Sequence, residues 1–532
     1  MPGLDWALSG ARSSSGRPIL ANDPHLNLTL PSIWYAVQIH TPEVNVYGVS
    51  LPGIPGVVIG FNEHLAWGIT NGGHDVADWH KIRWVDAGKR TYLLDEEPTA
   101  VEFRVEQIGV RGGHVQTDTV PYTVWGPMAY AHDQEHPLCD YAFRWVSHDA
   151  SEPDYVMVFL RLAMGRNWSD FREAIAHFDV PIQNFVMATR EGTIGIQVQG
   201  RWPVRAAGTG RFLQDGSQRS SGWAGYIPQD QLPVHKDPDQ GFVFSANQHS
   251  TAPDYPFYYT GSFEDWRGRH LYDRLMHTSG GTLDSMASIQ LDNYSLRAAE
   301  ALQAMLNLLD QRGVTGHPAL DTLRAWDCRY EPHAHAPVLF EIWYDYLYGL
   351  TWDEWPSGPA HPARQTPEDW RLIDMLERDT FHPFFDIQAT PHRESAGDVV
   401  RAAFDSLTTR LEAQPTRPWG QYRTVEIRHM ARIPGLGRSL QSVGGHGTAL
   451  NAQKETHGPS WRMLVALEDS IFARGVYPGG QSGNPGSLYY DNMVDAWASG
   501  RYYDLLFMKS KDVPSDRIQH RLRVQPDPNQ IQ

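Results

Sequence analysis

Cysteine is scarce in this sequence. Two thiols, Cys139 and Cys328, lie far apart in 532 residues. No Cys-x-x-Cys pair occurs, which excludes a disulfide framework and a structural zinc cluster. The two thiols either join in one long-range bridge or stay as buried thiols, so they do not fix the redox compartment. Basic charge is also short. There are 45 Lys and Arg against 62 Asp and Glu, for a net charge of −17, the wrong sign for neutralising nucleic-acid phosphates. No apolar run reaches the roughly 20 residues of a membrane-spanning helix. Residues 1–15 have no basic stretch followed by an apolar one, so no signal peptide is read there. A Gly-x-Ser-x-Gly elbow is absent. The Gly-rich stretch from Tyr477 lacks the lysine of a phosphate-binding loop, which disfavours nucleotides.

Aromatic residues are abundant, with 19 Trp and 23 Tyr, and charged residues make up only 20%. Such a chain folds around a large core, as two to four domains or as one large layered domain with insertions. Short apolar segments bounded by turn formers predict strands at Trp6–Gly10, Pro18–Asn22, 33–40, 44–51 and 55–60. Alternation predicts half-buried strands over 101–120, and 182–204 adds another pair. Apolar residues at helical spacing dominate from Gly280 to Gln414, with Thr282 or Asp284 as N-cap. Strand and turn character returns from Pro415, and a polar tail follows Val513. The division is a β-rich first part (1–279), a helical insertion (280–414) and a β-rich return (415–532). The fold class read from this order is α+β with a large sheet core.

Three turn-rich segments carry candidate chemistry. In Ala21-Asn-Asp-Pro-His, a tight turn before proline presents His25. In Trp67–Asp78, Gly72 and Gly73 free the backbone near Asn71 for an oxyanion. There Asp75 and Asp78 offer hard oxygens suited to calcium, whereas His74 and His80 fit no zinc spacing. In Ser245-Ala-Asn, Asn247 can donate to an oxyanion, with Arg267 and Arg269 following. Each segment reads equally as an ordinary capped loop. His333 and His335 have a chelating spacing but sit in a loop bounded by prolines. Glycoside chemistry would need two facing carboxylates, and no pair stands out.

In order, these segments resemble the penicillin acylase family from Trp6 to about Leu506. Gly16-Arg-Pro-Ile-Leu-Ala-Asn-Asp-Pro-His is similar to the opening of the family's β subunit. Leu51-Pro-Gly-Ile-Pro-Gly, Gly60-Phe-Asn-Glu-His-Leu-Ala-Trp-Gly-Ile-Thr-Asn and Pro181-Ile-Gln-Asn-Phe follow in family order. Gly444-Gly-His-Gly-Thr, Gly458-Pro-Ser-Trp-Arg-Met and Pro478-Gly-Gly-Gln-Ser-Gly-Asn-Pro close it. The resemblance implies an N-terminal-nucleophile hydrolase, an αββα sandwich of two stacked antiparallel sheets with a helical insertion. It implies deacylation of small linear amides, either β-lactam side chains or N-acyl homoserine lactones, in a periplasmic or secreted setting. It also implies Asn247 and the Asn71 backbone N–H as oxyanion donors, His25 as the residue that orients the α-amino group or lines the site, and Arg267 as site arginine with Arg269 as the alternative. A structural calcium would be held by Asp75, the Ala77 carbonyl and Asp78, with Pro203 as a further carbonyl and an acidic ligand near Asp254. Gly3 falls where the family has its nucleophilic serine, and Ser9 belongs to a later position. The family's α subunit has no counterpart in the sequence. The resulting expectation is an acylase with impaired activity; the alternative is an inactive binding protein or gene fragment on the same scaffold.

Overall fold

The computed structural model describes residues 3–149, 157–355, 366–509 and 518–524. The start of the polar tail at Val513 lies outside them. Alternation explains the first strand, Gly3–Leu8. Its side chains point to opposite faces in turn, so Leu4, Trp6 and Leu8 share one face. They pack against Leu271, Leu275, Met286 and Ile289 of the helices Trp266–Met276 and Leu283–Gln290. Gly3, Asp5 and Ala7 look the other way, at a second sheet. A Cβ on Gly68 of that sheet would stand 2.4 Å from Asp5 Oδ1.

Each main sheet has seven strands. The first runs Phe242–Ser245, Gly3–Leu8, Ile19–Asn27, Arg462–Ala466, Phe472–Val476, Tyr503–Asp504, with His457–Pro459 also on Ile19–Asn27. The second runs Val234–Lys236, Ile194–Gln199, Gln183–Thr189, Leu65–Asn71, Ile59–Asn62, Asn45–Ser50, Tyr35–His40. Neighbours are antiparallel in both. Ala7, Leu20, Val243 and Val465 of the first sheet share a core with Trp67, Ile69, Phe185 and Val186 of the second. The helices Val158–Met164 and Trp168–Ile175 pack onto the second sheet. There the Trp168 ring lies over Gly195, where a Cβ would stand 2.2 Å from it. On the edge strand Tyr35–His40, the Gln481 side chain pairs with the Ala36 backbone. Its Nε2 donates to the Ala36 carbonyl at 2.7 Å and its Oε1 accepts the Ala36 N–H at 3.0 Å.

The helices Leu296–Gln311, Pro318–Arg324, Ala336–Thr351, Asp369–Arg378 and Ala396–Ala413 build a separate core. Phe340, Trp343, Tyr344 and Leu347 follow each other at helical spacing and are all buried in it. Thr282 rather than Asp284 caps its helix, in a reciprocal capping box with Ser285. Cys139 and Cys328 are both free.

Two expectations are corrected. Asn22-Asp-Pro is not a turn: it lies inside the nine-residue strand Ile19–Asn27. Proline is tolerated there because the ladder changes partner around it, from Asn22 opposite Met463 to His25 opposite Pro459. The missing N–H falls at that break. The stretch 101–120 does form two strands, Glu102–Val110 and His114–Thr123. It is a mostly exposed hairpin rather than a half-buried one, with Val105 60% and Val115 59% exposed. Its alternation reflects strand geometry without a covering layer.

Candidate active site

Four residues distant in sequence meet at the end of the first strand. Asn71 closes the strand Leu65–Asn71. Its Oδ1 accepts the Gly73 N–H at 2.9 Å, and Gly73 has a left-handed φ of 75° that suits glycine. The Asn71 carbonyl accepts from Asn247 Nδ2 at 2.9 Å and from Asn184 Nδ2 at 3.0 Å. Asn247 is buried just past the strand Phe242–Ser245. Its φ of 68° is a conformation few residues other than glycine adopt, asparagine being among the more frequent. Its Oδ1 accepts the Gly3 N–H at 2.9 Å and Arg267 Nη2 at 2.9 Å. With two donors on one side of the amide and a carbonyl on the other, only one orientation of the side chain satisfies all partners.

Arg267 lies in the first turn of the helix Trp266–Met276 and is buried. Its Nη1 donates to the Gly3 carbonyl at 3.3 Å, and its Nε faces Glu264 at 3.1 Å. Burial pushes the Glu264 carboxyl up, while Arg267 pulls it down. Residue 3 thus has its N–H held by Asn247 and its carbonyl by Arg267. The backbone closes tightly around it: a Cβ on Gly3 would stand 2.7 Å from the Asp23 carbonyl and 2.9 Å from Pro24 Cα. The alternative arginine, Arg269, faces Asp265 and Glu300 at the surface and takes no part.

His25 belongs to the neighbouring strand, one residue beyond Pro24, which lies opposite Gly3. Its Nε2 faces Asp23 Oδ2 at 3.6 Å. Asp23 in turn lies 3.8 Å from Arg462 Nε. Burial holds the imidazole below its ordinary value, against the pull of Asp23.

Sequence reasoning did not assign roles to Thr70, Asn184, Ser245 or Glu264. Ser245 Oγ accepts from Thr70 Oγ1 at 2.9 Å, from Asn184 Nδ2 at 2.9 Å and from the Asn247 N–H at 3.3 Å. The available signal was a polar residue at the end of a buried apolar strand, as in Phe242-Val-Phe-Ser. A cleft of about 840 Å³ opens beside the cluster, lined by Asn71, Asn247, Glu264, Trp266, Arg267 and Trp370.

The oxygens proposed for calcium converge, but on a side chain. Arg205 Nη1 donates to the Asp75 carbonyl at 2.6 Å, Nη2 to the Ala77 carbonyl at 3.2 Å, and Nε to Asp78 Oδ2 at 3.0 Å. With a guanidinium taking these donors, the set as arranged does not fit a metal ion. Pro203 pairs with Tyr226 in an isolated bridge, and Asp254 is exposed in a turn. His74 and His80 separate into two aromatic clusters. His74 lies 3.8 Å from the Trp202 ring and His80 4.1 Å from Trp125. His335 Nδ1 meets Thr416 Oγ1 at 3.0 Å. Among the described residues, no three His, Cys, Asp or Glu are grouped to hold a metal, and no helix is long and apolar enough to cross a membrane.

The two-sheet architecture is that of known acylases. The thermostable penicillin G acylase from Alcaligenes faecalis superposes with a TM-score of 0.78 over 99% of this chain and 100% of that one, at 20% identity. That likeness establishes a shared mixed α/β fold. The sequence profile of the family described as Penicillin amidase matches residues 5–512, and the chain belongs to that family. The acyl-homoserine lactone acylase QuiP of Pseudomonas aeruginosa is 28% identical over 94% of this chain and 66% of that protein. Penicillin acylase 2 proenzyme of Pseudomonas sp. strain SE83 is 25% identical, again over 94% of this chain and 66% of that protein. The chain therefore spans just under two thirds of the length of these relatives.

Proposed function

We propose that this chain carries the acyl-amide site of a linear-amide hydrolase with the αββα arrangement of N-terminal-nucleophile enzymes. Its substrates would be small acyl amides, such as N-acyl homoserine lactones or β-lactam side-chain amides, met in a periplasmic or secreted setting. The observation that supports this most is the convergence of Asn247 and Arg267 on residue 3, with Asn71 held against Asn247, beside a cleft large enough for such a molecule. In this chemistry a serine hydroxyl at that position attacks the amide carbon and the serine's own α-amino group takes the proton. Asn247 Nδ2 and the Asn71 N–H would stabilise the oxyanion. The amine then departs, and water cleaves the acyl ester. Arg267 would fix the carbonyl of residue 3, His25 would order the strand beside it, and a smaller partner subunit would wall the cleft. Gly3 offers no hydroxyl, so we read the covalent step as impaired in this chain.

A second reading, an acyl-amide binding protein without turnover, is favoured by the closure of the backbone over Gly3. A serine Cβ there, 2.7 Å from a carbonyl oxygen, would require the strands to part. Both readings are tested by mixing the purified chain with N-acyl homoserine lactones and a chromogenic acyl anilide. Saturable binding by calorimetry without amine release is expected. Turnover by the unchanged chain, with host acylase excluded, would overturn the impairment. Absence of any binding would overturn the site. A version starting with serine in place of Gly3, co-expressed with an acylase small subunit, separates the readings: anilide release favours the hydrolase, and binding without release favours the binding protein.

A further inference from the structure

We propose that Arg205 is an internal substitute for a divalent cation, fixing the loop after the strand Leu65–Asn71 without any metal. Among the described residues, Arg205 is the cation that donates hydrogen bonds to these oxygens. Its side chain is 2% exposed, and that of Asp78 is 3%. Three of its nitrogens are spent on two backbone carbonyls and one carboxylate, those of Asp75, Ala77 and Asp78. A second carboxylate oxygen, Asp75 Oδ1, lies 3.8 Å from Nη2. These are hard oxygens of the kind calcium prefers, yet here they lie around a planar fork whose N–H groups match carbonyl and carboxylate acceptors.

The surroundings keep the guanidinium in place. Trp223 Nε1 donates to the same Asp78 Oδ2, and the Trp223 ring centre lies 5.6 Å from the guanidinium carbon. A Cβ on Gly210 would stand 3.0 Å from Arg205 Cδ and Nε, so the loop closes over the stem. The Asp75 N–H donates to the Thr260 carbonyl at 2.9 Å and the Ser262 N–H to the Gly73 carbonyl at 2.9 Å. The loop that Arg205 holds is thus joined by its own backbone to the segment that precedes Arg267. This inference does not depend on what the neighbouring cleft binds.

Two consequences can be measured on the full chain. The thermal midpoint should be the same in EDTA and in millimolar calcium, and isothermal titration with calcium alone should give no binding heat. A midpoint that falls on chelation or rises with calcium would overturn the proposal. Arg205→Ala leaves two carboxylates and two carbonyls around a vacated space. It should lower the midpoint by about 5 °C or more, as loss of one partner of a buried pair does. Millimolar calcium, but not magnesium, should restore part of that loss, because calcium accepts irregular oxygen shells. A variant as stable as the parent would overturn the proposal. If Arg205→Ala does not accumulate, Arg205→Met keeps the packed stem and removes only the charge. Its recovery only when calcium is supplied during refolding would support the proposal, and recovery without calcium would overturn it. The chelation arm on the unchanged chain decides the question even if neither variant folds.

Discussion

The two largest cores of this molecule are built on different terms. The helical core around Phe340, Trp343 and Phe404 buries charge too, but pairs it: Arg297 meets both Glu341 and Asp369, and Glu341 also accepts from the Tyr330 hydroxyl. The space between the sheets is apolar in the middle, but its end at residue 3 is crowded with buried polar groups: Asp5, Asn22, Asp23, Asn184, Ser245 and Asn247. Some of these are poorly satisfied. Asp23 meets His25 and Arg462 only at 3.6 and 3.8 Å, and burial raises the Asp5 carboxyl well above its usual range. Burying such groups costs stability unless they are fully paired. The helical core therefore adds to stability, while the sheet end, where we propose the site, is ordered at some expense to it.

That division can be broken by experiment, most directly in the helical core. Phe404→Ala should cost about 3–5 kcal/mol, the usual penalty for emptying a buried aromatic site, read from urea unfolding. Acyl-amide affinity should stay unchanged; a parallel loss of affinity would mean that the two regions act as one unit. The reverse experiment is Asn247→Gly, which keeps the left-handed backbone and removes only the amide. In a version bearing serine at position 3, it should lower turnover roughly a hundredfold or more, the typical price of one oxyanion donor, and the unfolding midpoint should also fall, because the residue 3 N–H and Arg267 Nη2 lose a buried acceptor. A large stability loss with no kinetic effect would assign Asn247 to structure instead.

Acid should act on both regions alike. His74, packed by the sheet end, and His446, beside Tyr330 of the helical core, are each held down to about 3 by burial. Both stay neutral in the folded chain, whereas the unfolded chain protonates them near 6.5. Their contribution is complete above pH 6.5 and is lost as pH falls towards 3. At pH 4.5 each should have surrendered roughly 3 kcal/mol, measured as the drop in urea midpoint from pH 7. His74→Phe should flatten that dependence, and an unchanged slope would refute the assignment. The smallest effect expected is for Arg269→Ala. Its exposed pairs with Asp265 and Glu300 are worth under about 1 kcal/mol, and binding should not change, whereas Arg267→Met should lower affinity or stability clearly.

Much of the scaffold was legible in the sequence because it obeys simple periodicities. Leu4, Trp6 and Leu8 alternate, and the helices at 296–311 and 396–413 carry apolar faces at the expected spacing. Pro24 misled because Asn-Asp-Pro has turn chemistry, and only the pairing of a distant strand shows that its missing N–H costs nothing. Asn71, Asn247 and Arg267 lie in segments that local chemistry flagged, the Gly-rich loop and the Ser-Ala-Asn turn, but it was the order of motifs that gave them roles. Thr70, Asn184 and Ser245 did not, since a polar residue ending a strand is commonplace. Arg205 was invisible for a different reason: it sits 127 residues from Asp78 and 130 from Asp75, and no local pattern couples an arginine to carbonyls so far away.

The Gln481 contact has a bearing on how copies of this protein behave towards one another. The strand Tyr35–His40 is the last of its sheet, and an open last strand is a template on which another chain can add. At Ala36 that template is already taken. One side-chain amide supplies the donor and acceptor that an incoming peptide would offer. Along the same strand, Gln38 exchanges hydrogen bonds with the Met508 backbone. The Gln481 amide thus fills, at Ala36, the backbone donor and acceptor on which another strand would pair, and Met508 lies against the Gln38 side chain beside it.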